Sequence, residues 1–475
     1  MYFPNYHWHL EISSKCTLKC PRCPRTEQKG SYVVSEISLE QLIETFSQDL
    51  FLNEAQKITL CGGQGDPIYH SQFLEVVRFF KSLRPRKIVT IVTNGSHKKR
   101  DWWQELAAIL DYGDDITFSV DGYDASSNQR YRVNSDWSST IEAIKTMSTS
   151  RAQVIWNTIF FKFNQEHIQE IKNLALRTGA DAFRLTRSHL FASFDKPYYL
   201  NEQGIDPLEP DSQYLPEALR VAKKMEWFNP QSEKNLKASE RYREFHISRK
   251  KAVEQTLERY EDSLMFPNCQ FGYRGNYVDV EGQFYPCSWV SHPAPEEETP
   301  SFLKAFYRAH RVKFNVLKNP LHQVLSDPLW EEVLKQWDSP HHLPEIRECH
   351  RKCQKQFFDS EEIRHYLSLG NKSQESRIDR LRNIADLEVS EGKVSLRYCG
   401  KFKNTQSLWE WKNWAFPEDK LTIYLPFRKR ELTYADVEQN MYLTFLWSTH
   451  QLAREAQLTG KFKVEVRFEK EGAEK

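Results

Sequence analysis

Three thiols near the start of the chain have the types and spacing for metal chemistry. Cys16, Cys20 and Cys23 lie in the run Lys15-Cys16-Thr17-Leu18-Lys19-Cys20-Pro21-Arg22-Cys23. Intervals of three and then two residues bring three sulfurs to one short loop. Thiolates are soft ligands, suited to zinc, copper(I) or an iron–sulfur cluster. A cubane cluster offers four iron corners, usually filled by four cysteines. A three-cysteine loop therefore leaves one corner open, where a small molecule can bind and react. The competing reading is a structural zinc site closed by His7 or His9, and the tight spacing favours the cluster.

A second set of cysteines comes later, at Cys269, Cys287, Cys349 and Cys353, and only Cys61 and Cys399 stand alone. Between Cys269 and Cys287, Asn276–Val280 and Gly282–Tyr285 read as a hairpin turning at Glu281-Gly282, and a helix over Pro328–Gln336 precedes Cys349-x3-Cys353. Four thiolates can close a zinc site or a cluster, with His341, His342 and His350 near enough in sequence to substitute.

The elements that must position the first loop alternate clearly. Strands are expected at His9–Ile12, Lys57–Cys61, Lys87–Val92, Ile116–Asp121, Val154–Ile159 and Ala182–Leu185. Helical spacing falls between them: Leu39, Leu42, Ile43 and Phe46 behind Ser38 as N-cap, then Phe73–Phe80, Trp102–Ile109, Ile141–Ile144 and Ile168–Leu176. Six strands alternating with helices indicate parallel βαβ units. In such folds the strands' C-terminal ends share one rim, where sites form. The cysteine loop, the turn Gly62-Gly63-Gln64-Gly65-Asp66-Pro67, Asn94, Ser119 and Asp121 all fall at such ends. Each could be a plain turn, but their joint occurrence points to a site.

Through Cys16-x3-Cys20-x2-Cys23 after a first strand, and strand-end motifs in matching order, residues 7–190 resemble the radical S-adenosylmethionine (SAM) enzymes. The resemblance implies a partial (β/α)6 TIM-like barrel and a 4Fe–4S cluster whose fourth iron takes the amino and carboxylate groups of SAM. Reductive cleavage would give methionine and a 5′-deoxyadenosyl radical that abstracts hydrogen from substrate. The family's Gly-Gly-Glu-Pro turn departs here to Gly62-Gly63-Gln64-Gly65-Asp66-Pro67. Either Gln64 or Asp66 takes the glutamate's place at the methionine ammonium, and a carboxylate suits that partner better. The same resemblance carries Asn94, Ser119 and Asp121 to the ribose and methionine carboxylate, and Asn157 to SAM contact. Arg132 would pair with the SAM carboxylate, or else is a surface arginine. The second cysteine set resembles the SPASM/twitch extension, implying one auxiliary 4Fe–4S cluster held by Cys269, Cys287, Cys349 and Cys353. Relatives with that extension often modify peptides. A reducing partner such as flavodoxin or ferredoxin is implied.

Composition sets the outer limits. Lys and Arg total 66 against 65 Asp and Glu, so overall charge selects no partner. No run is long and apolar enough for a transmembrane helix and no secretory signal opens the chain, which predicts no membrane partner and a cytoplasmic location. Nine cysteines then suit metal chemistry better than disulfides. The 475 residues divide into a 1–190 core, a helical connector or lid at 191–265, a twitch-like segment at 266–360 and an α+β domain at 361–475. Helices are expected over Leu215–Trp227, near Lys237–Tyr260 and over Tyr434–Glu455, and strands at Leu387–Val389, Lys393–Tyr398, Leu421–Leu425 and Phe462–Phe468. From Thr299 to Ser326 no acidic residue interrupts Lys304, Arg308, Arg311, Lys313 and Lys318 interleaved with Phe302, Phe306, Tyr307 and Phe314. Such a run can track phosphates and stack on bases, or pack as an amphipathic segment. The leading expectation is a radical SAM enzyme acting on a peptide or other large substrate. The first alternative is radical modification of a nucleobase in DNA or RNA; the second is a zinc-stabilised binding protein without catalysis.

Overall fold

A computed structural model describes residues 3–27, 34–188, 198–201, 204–216, 224–229, 232–238, 240, 269, 275–291, 302–338, 386–390, 393–398, 419–425, 428–433 and 464–470. The chain divides into two units, one of Met1–Phe245 with Pro267–Lys352, the other of His246–Phe266 with Cys353–Lys475.

In the first unit the six expected strands form as β1 (His7–Leu10), β2 (Lys57–Leu60), β3 (Ile88–Thr93), β4 (Asp115–Ser119), β5 (Gln153–Phe160) and β6 (Ala182–Arg187). They pair in parallel in sequential order, as the partial barrel requires. The sheet continues beyond them at both edges. The antiparallel strand β9 (Lys224–Phe228) flanks β6, while β10 (Asn276–Val278) runs parallel to β1 and carries β11 (Phe284–Tyr285) antiparallel outside it. The result is a mostly parallel sheet of nine strands. The hairpin read from the second cysteine region is therefore part of the main sheet. A short antiparallel pair, β7 (Tyr198–Asn201) and β8 (Gly204–Pro207), stands apart.

The two faces of this sheet differ in kind. Side chains alternate along a strand, and laterally paired residues of parallel neighbours share a face. One face carries Trp8, Leu10, Ile58, Leu60, Val89, Ile91, Phe118, Trp156, Phe183 and Leu185, all buried. Helices cover it. Trp8 meets Phe46 of α2 (Leu39–Phe46) and Phe51 of α3 (Asp49–Glu54), with ring centroids 5.6 and 5.7 Å apart. Phe118 meets Trp103 of the helix Arg100–Ile109, and Trp156 meets Trp137 of the helix Trp137–Met147. The other face carries the polar row His9, Thr59, Thr90, Asp115 and Gln153, and nearer the C-terminal ends Ser119, Asn157 and Arg184. Helix ends follow local rules. Ser38 Oγ accepts from Gln41 N at 3.2 Å while Gln41 Oε1 accepts from Ser38 N at 3.0 Å, a full capping box.

Two expectations from the sequence change. The helix expected over Leu215–Trp227 is a strand at its C-terminal end, since Lys224–Phe228 pairs with β6 and places Trp227 on Phe183 at 5.5 Å. The basic-aromatic run is core on its aromatic side. Phe306, Tyr307 and Phe314 are buried around Trp330, whose ring also meets Phe3 at 4.9 Å and Phe284 at 5.6 Å. Those three rings cannot stack on bases. The helices Phe302–His310 and Trp330–Asp338 bury this seam, and Arg311 stays outside, paired to Glu281 at 2.6 Å.

The second unit contains a five-stranded antiparallel sheet: β12 (Asp386–Ser390), β13 (Lys393–Tyr398), β14 (Asp419–Leu425), β15 (Arg428–Thr433) and β16 (Val464–Lys470). The last strand in sequence is central, between β13 and β14. Cys349, Cys353 and Cys399, the expected helix at Tyr434–Glu455 and most of that near Lys237–Tyr260 lie outside the described residues. Among the described residues no helix is long and apolar enough to cross a membrane.

Candidate cofactor site

The cysteine loop follows β1 and is held by backbone before any side chain acts. Cys23 N donates to Cys20 O at 3.1 Å and Thr26 N to Cys23 O at 2.8 Å, a tight turn opening the short helix α1 (Pro24–Glu27). Arg25 reaches back to the Cys16 carbonyl at 2.7 Å. Lys19 N donates to Val133 O at 3.0 Å, Asn134 Nδ2 to Thr17 O at 2.8 Å, and Asp66 N to Lys15 O at 2.9 Å. Residues 133–134 and Asp66, from two separate segments, thus pin the loop from outside.

Its sulfurs sit on one apolar wall. Leu18, Cys20, Tyr131, Phe161 and Leu208 form a buried cluster, with Cys16, Cys23, Ile159 and Phe163 packed against it. None of the three thiols is in a disulfide. Burial pushes the Cys20 thiol up to about 11, against the opposing charge and hydrogen bond of Arg132. Cys16 is pushed up to about 12 by burial and the Asp66 charge, and Cys23 rises by burial. Thiols this reluctant to ionise need a metal's charge to become ligands. Neither histidine proposed to close a zinc site faces the loop: His7 Nε2 bonds Thr59 Oγ1 at 2.8 Å and His9 Nε2 bonds the Cys61 carbonyl at 2.9 Å. Among the described residues no three His, Cys, Asp or Glu side chains converge on a single ion. Three unbridged thiols of one loop on one apolar wall have the chemistry of a three-cysteine cluster loop.

The glycine turn folds onto this loop and around Glu11. Glu11, 1 % exposed, accepts from Gln64 N at 2.6 Å and Gly65 N at 3.0 Å through Oε1, and from Tyr277 Oη through Oε2 at 2.5 Å. Burial pushes its carboxyl up to about 7 against those three donors. A Cβ on Gly65 would stand 2.0 Å from the Ser13 carbonyl oxygen, so only glycine allows this approach.

Asp66 is committed inward. Its Oδ2 accepts from Asn94 Nδ2 at 2.6 Å, Asn94 N at 2.7 Å and Thr93 Oγ1 at 3.1 Å, and Oδ1 accepts from Ile68 N at 3.3 Å. Burial pushes this carboxyl up to about 6. Gln64, by contrast, makes no side-chain hydrogen bond among the described residues. Asn94 Nδ2 also approaches Cys16 Sγ at 3.7 Å.

Asp121, fully buried, accepts from Arg132 Nε at 2.6 Å and Ile159 N at 2.7 Å. Burial works against the Arg132 charge, but Asp121 and Cys20 outweigh it and raise its pKa further, so the guanidinium stays charged. Arg132 is thus no surface arginine. Ser119 and Asn157 stand side by side on β4 and β5. The Ser119 hydroxyl has no partner among the described residues, while Asn157 Oδ1 accepts from Thr186 at 2.8 Å. Cys61, expected at the site or the wall, lies close enough for the Asp66 and Glu11 charges to raise it beyond its burial. In the second set, Cys269 and Cys287 are buried and in no disulfide.

Sequence reading missed several residues. Glu11 continues the polar alternation His7, His9, Glu11, so a period-two count carried its signal. Asn128, whose Oδ1 accepts from Asp121 N at 3.0 Å and Gly122 N at 3.2 Å, and Asn164, whose Nδ2 bonds the Asp121 and Ile159 carbonyls at 2.8 Å each, gave none.

Residues 10–175 match the Radical SAM superfamily. A curated relative, the S-adenosylmethionine-dependent nucleotide dehydratase RSAD2 of Siniperca chuatsi, is 31 % identical over 128 residues, or 26 % of this chain and 32 % of the relative. The chain therefore spans about a third of that relative's length. Among solved structures, Streptococcus suis SuiB aligns with a TM-score of 0.43 at 13 % identity, covering 74 % of this chain and 72 % of SuiB. Native anSMEcpe with bound AdoMet and Cp18Cys peptide aligns with a TM-score of 0.39 at 15 % identity, covering 80 % and 98 %.

Proposed function

We propose that this chain, whose residues 10–175 match the Radical SAM superfamily, is an enzyme that cleaves SAM reductively and takes a hydrogen atom from a substrate. The observation that carries this is that three unbridged thiols of one loop pack against one apolar wall, with the glycine turn folded against the same loop. Cys16, Cys20 and Cys23 would hold a 4Fe–4S cluster with one iron open. Bound there and reduced by an external donor, such a cluster would supply the one electron that cleaves a carbon–sulfur bond of the SAM sulfonium.

The chain's residues bind and orient. Gln64, whose amide is unpartnered, would meet the methionine ammonium ahead of Asp66, whose carboxylate is engaged by Thr93 and Asn94. Gly62 and Gly63 let the backbone come close. Ser119, with a free hydroxyl, and Asn157 beside it would contact SAM from the polar face of the sheet. The apolar wall of Tyr131, Phe161 and Leu208 keeps water from the reacting centre.

A second cluster held by Cys269, Cys287, Cys349 and Cys353 belongs to this reading on the resemblance of their spacing, and Cys269 and Cys287 are buried. So does the division into a 1–190 core, a connector, a 266–360 twitch-like segment and a C-terminal domain. The substrate is read as a peptide or other large molecule, with an electron delivered by a flavodoxin- or ferredoxin-like partner. A nucleic acid loses much of its support, because Phe306, Tyr307 and Phe314, three of the four aromatic residues that would stack on bases, are buried.

The test is anaerobic reconstitution with iron and sulfide, followed by SAM and dithionite. Wild type should form 5′-deoxyadenosine, and a protein with Cys16, Cys20 and Cys23 all changed to alanine should form none while keeping the iron of the second set. Activity surviving the triple change would refute the reading. Adding peptide pools or nucleoside triphosphates separates a peptide substrate from a nucleotide one, the class in the name of the curated relative.

A further inference from the structure

One of the three loop sulfurs receives a nitrogen donor and a second lies beside a guanidinium, and a buried carboxylate holds each of those groups from behind. At Cys16 the donor is Asn94 Nδ2, 3.7 Å from Sγ and 2.6 Å from Asp66 Oδ2. Beside Cys20 stands Arg132, between Tyr131, which packs in the Cys20 cluster, and Val133, whose carbonyl takes Lys19 N at 3.0 Å; its charge favours the Cys20 thiolate, and its Nε lies 2.6 Å from Asp121 Oδ2. Asp66 is 6 % exposed and Asp121 0 %. The four residues come from different places: the glycine turn, the end of β3, the turn after β4, and the segment after the helix Ala125–Gln129. A donor tied to a buried carboxylate cannot swing to solvent or to a ligand without leaving that charge alone.

The resemblance sends Arg132 to the SAM carboxylate and Asn94 to the ribose. The structure places Asn94 against the Cys16 sulfur and the Arg132 charge beside Cys20. A reduced cluster carries one more negative charge than an oxidised one, and donors aimed at its sulfurs favour the reduced form. In a low-dielectric wall such as Tyr131, Phe161 and Leu208, a full positive charge acts strongly. The carboxylate behind acts in the opposite sense and trims the effect.

We propose that the Asp121–Arg132 and Asp66–Asn94 pairs set the reduction potential of the cluster held by Cys16, Cys20 and Cys23, with Arg132 the dominant member. This rests on the reading that the loop binds a cluster. All four act as positioning residues toward the cluster's charge.

The signs are opposite within one pair, which makes the test sharp. Arg132→Met should lower the midpoint potential. Asp121→Asn, leaving the guanidinium uncompensated, should raise it. Each should change the ratio of reduced to oxidised cluster about tenfold at fixed ambient potential, which is about 59 mV for a one-electron couple. Arg132→Lys should restore most of the loss, and Asn94→Leu should give a smaller fall than Arg132→Met. The measurement is a dye-mediated anaerobic titration of the full reconstituted chain followed by electron paramagnetic resonance without SAM. The relevant signal is the one lost on changing Cys16, Cys20 and Cys23 to alanine. If wild type never shows that signal or its iron, the cluster reading fails. If iron loads normally but Arg132→Met and Asp121→Asn leave the midpoint in place or move it the same way, the pairs do not tune it. If every variant fails to load iron, they are structural supports, and the proposal is equally overturned.

Discussion

Changing Gly65 to alanine tests how closely the glycine turn must approach the cysteine loop. The added Cβ would lie 2.0 Å from the Ser13 carbonyl oxygen, 2.6 Å from Ser14 Cα and 2.7 Å from the Ser14 carbonyl carbon. Ordinary contact begins near 3.4 Å, so the turn and the loop must part by about 1.4 Å. All three obstacles are backbone, and no side chain can rotate away. The bond from Asp66 N to Lys15 O at 2.9 Å spans that gap, and those from Gln64 N and Gly65 N to Glu11 lie beside it. Overpacking costs about 1–3 kcal/mol, and losing one hydrogen bond to an ionised group adds about 1.5–3 kcal/mol. A loss of about 3–5 kcal/mol is expected, against a typical total of about 5–15 kcal/mol. Urea unfolding of the anaerobic protein, followed by tryptophan fluorescence, reads it directly. Gln64→Ala is the control, because it keeps the backbone donor to Glu11 and removes only an unpartnered amide. It should stay within about 0.5 kcal/mol of wild type. A Gly65→Ala protein within about 1 kcal/mol of wild type would show that the turn has room to move, and the account of the site would fail.

Glu11→Gln should flatten part of the pH dependence of stability. Its folded-state carboxyl sits at about 7 against an ordinary 4.5; a raised carboxyl stabilises fully below the lower value, and that contribution is lost as pH rises through the upper one. The shift corresponds to roughly 3 kcal/mol lost between about pH 4.5 and pH 7. Asp66 and Asp279 are also pushed up, to about 6, so the quantity to follow is the difference between wild type and variant from pH 5 to 8. A constant difference would contradict the assignment. Trp330→Ala should cost about 3–5 kcal/mol, because the ring is fully buried among Phe3, Phe284, Phe306 and Phe314; a loss below about 1 kcal/mol in the same urea assay would mean that this seam is not core.

Much of the core was legible because burial and periodicity agree. Trp8 and Leu10 against His7 and His9, or Phe118 and Trp156 in lateral register, write the two faces of the sheet into the sequence. The strand Lys224–Phe228 was not legible, because what makes it a strand is distant: pairing with β6, Trp227 on Phe183, and Glu226 joined to Arg184. The edge strand β15, reading Arg-Lys-Arg-Glu-Leu-Thr, was missed for a related reason. An edge bears charge to discourage further pairing, and its alternation is hidden. At the site, the residue types were readable but their directions were not. The sequence shows a carboxylate at Asp66 near a proline, yet only the fold shows it facing Asn94 and not the open side. The basic-aromatic run illustrates the same limit, since an aromatic residue reads alike whether it meets a base or Trp330.

The strand β10 bears on how the two cysteine sets relate. It is parallel to β1, with Glu11 N donating to Val278 O at 2.9 Å, and it delivers Tyr277 to the Glu11 carboxylate. Glu11 in turn holds the glycine turn, and the turn holds the loop through Asp66 N and Lys15 O. A chain of hydrogen bonds thus runs from the segment bearing Cys269 and Cys287 to the loop bearing Cys16, through a carboxylate with almost no access to water. Removing that segment would expose the flank of β1 and strip Glu11 of its hydroxyl donor, leaving a buried charge with two donors in place of three. Disturbance of the second cysteine set should therefore reach the first through the backbone of the turn. Loss of iron at the first loop in a variant of the second set would not, by itself, mean that the two sets share a ligand.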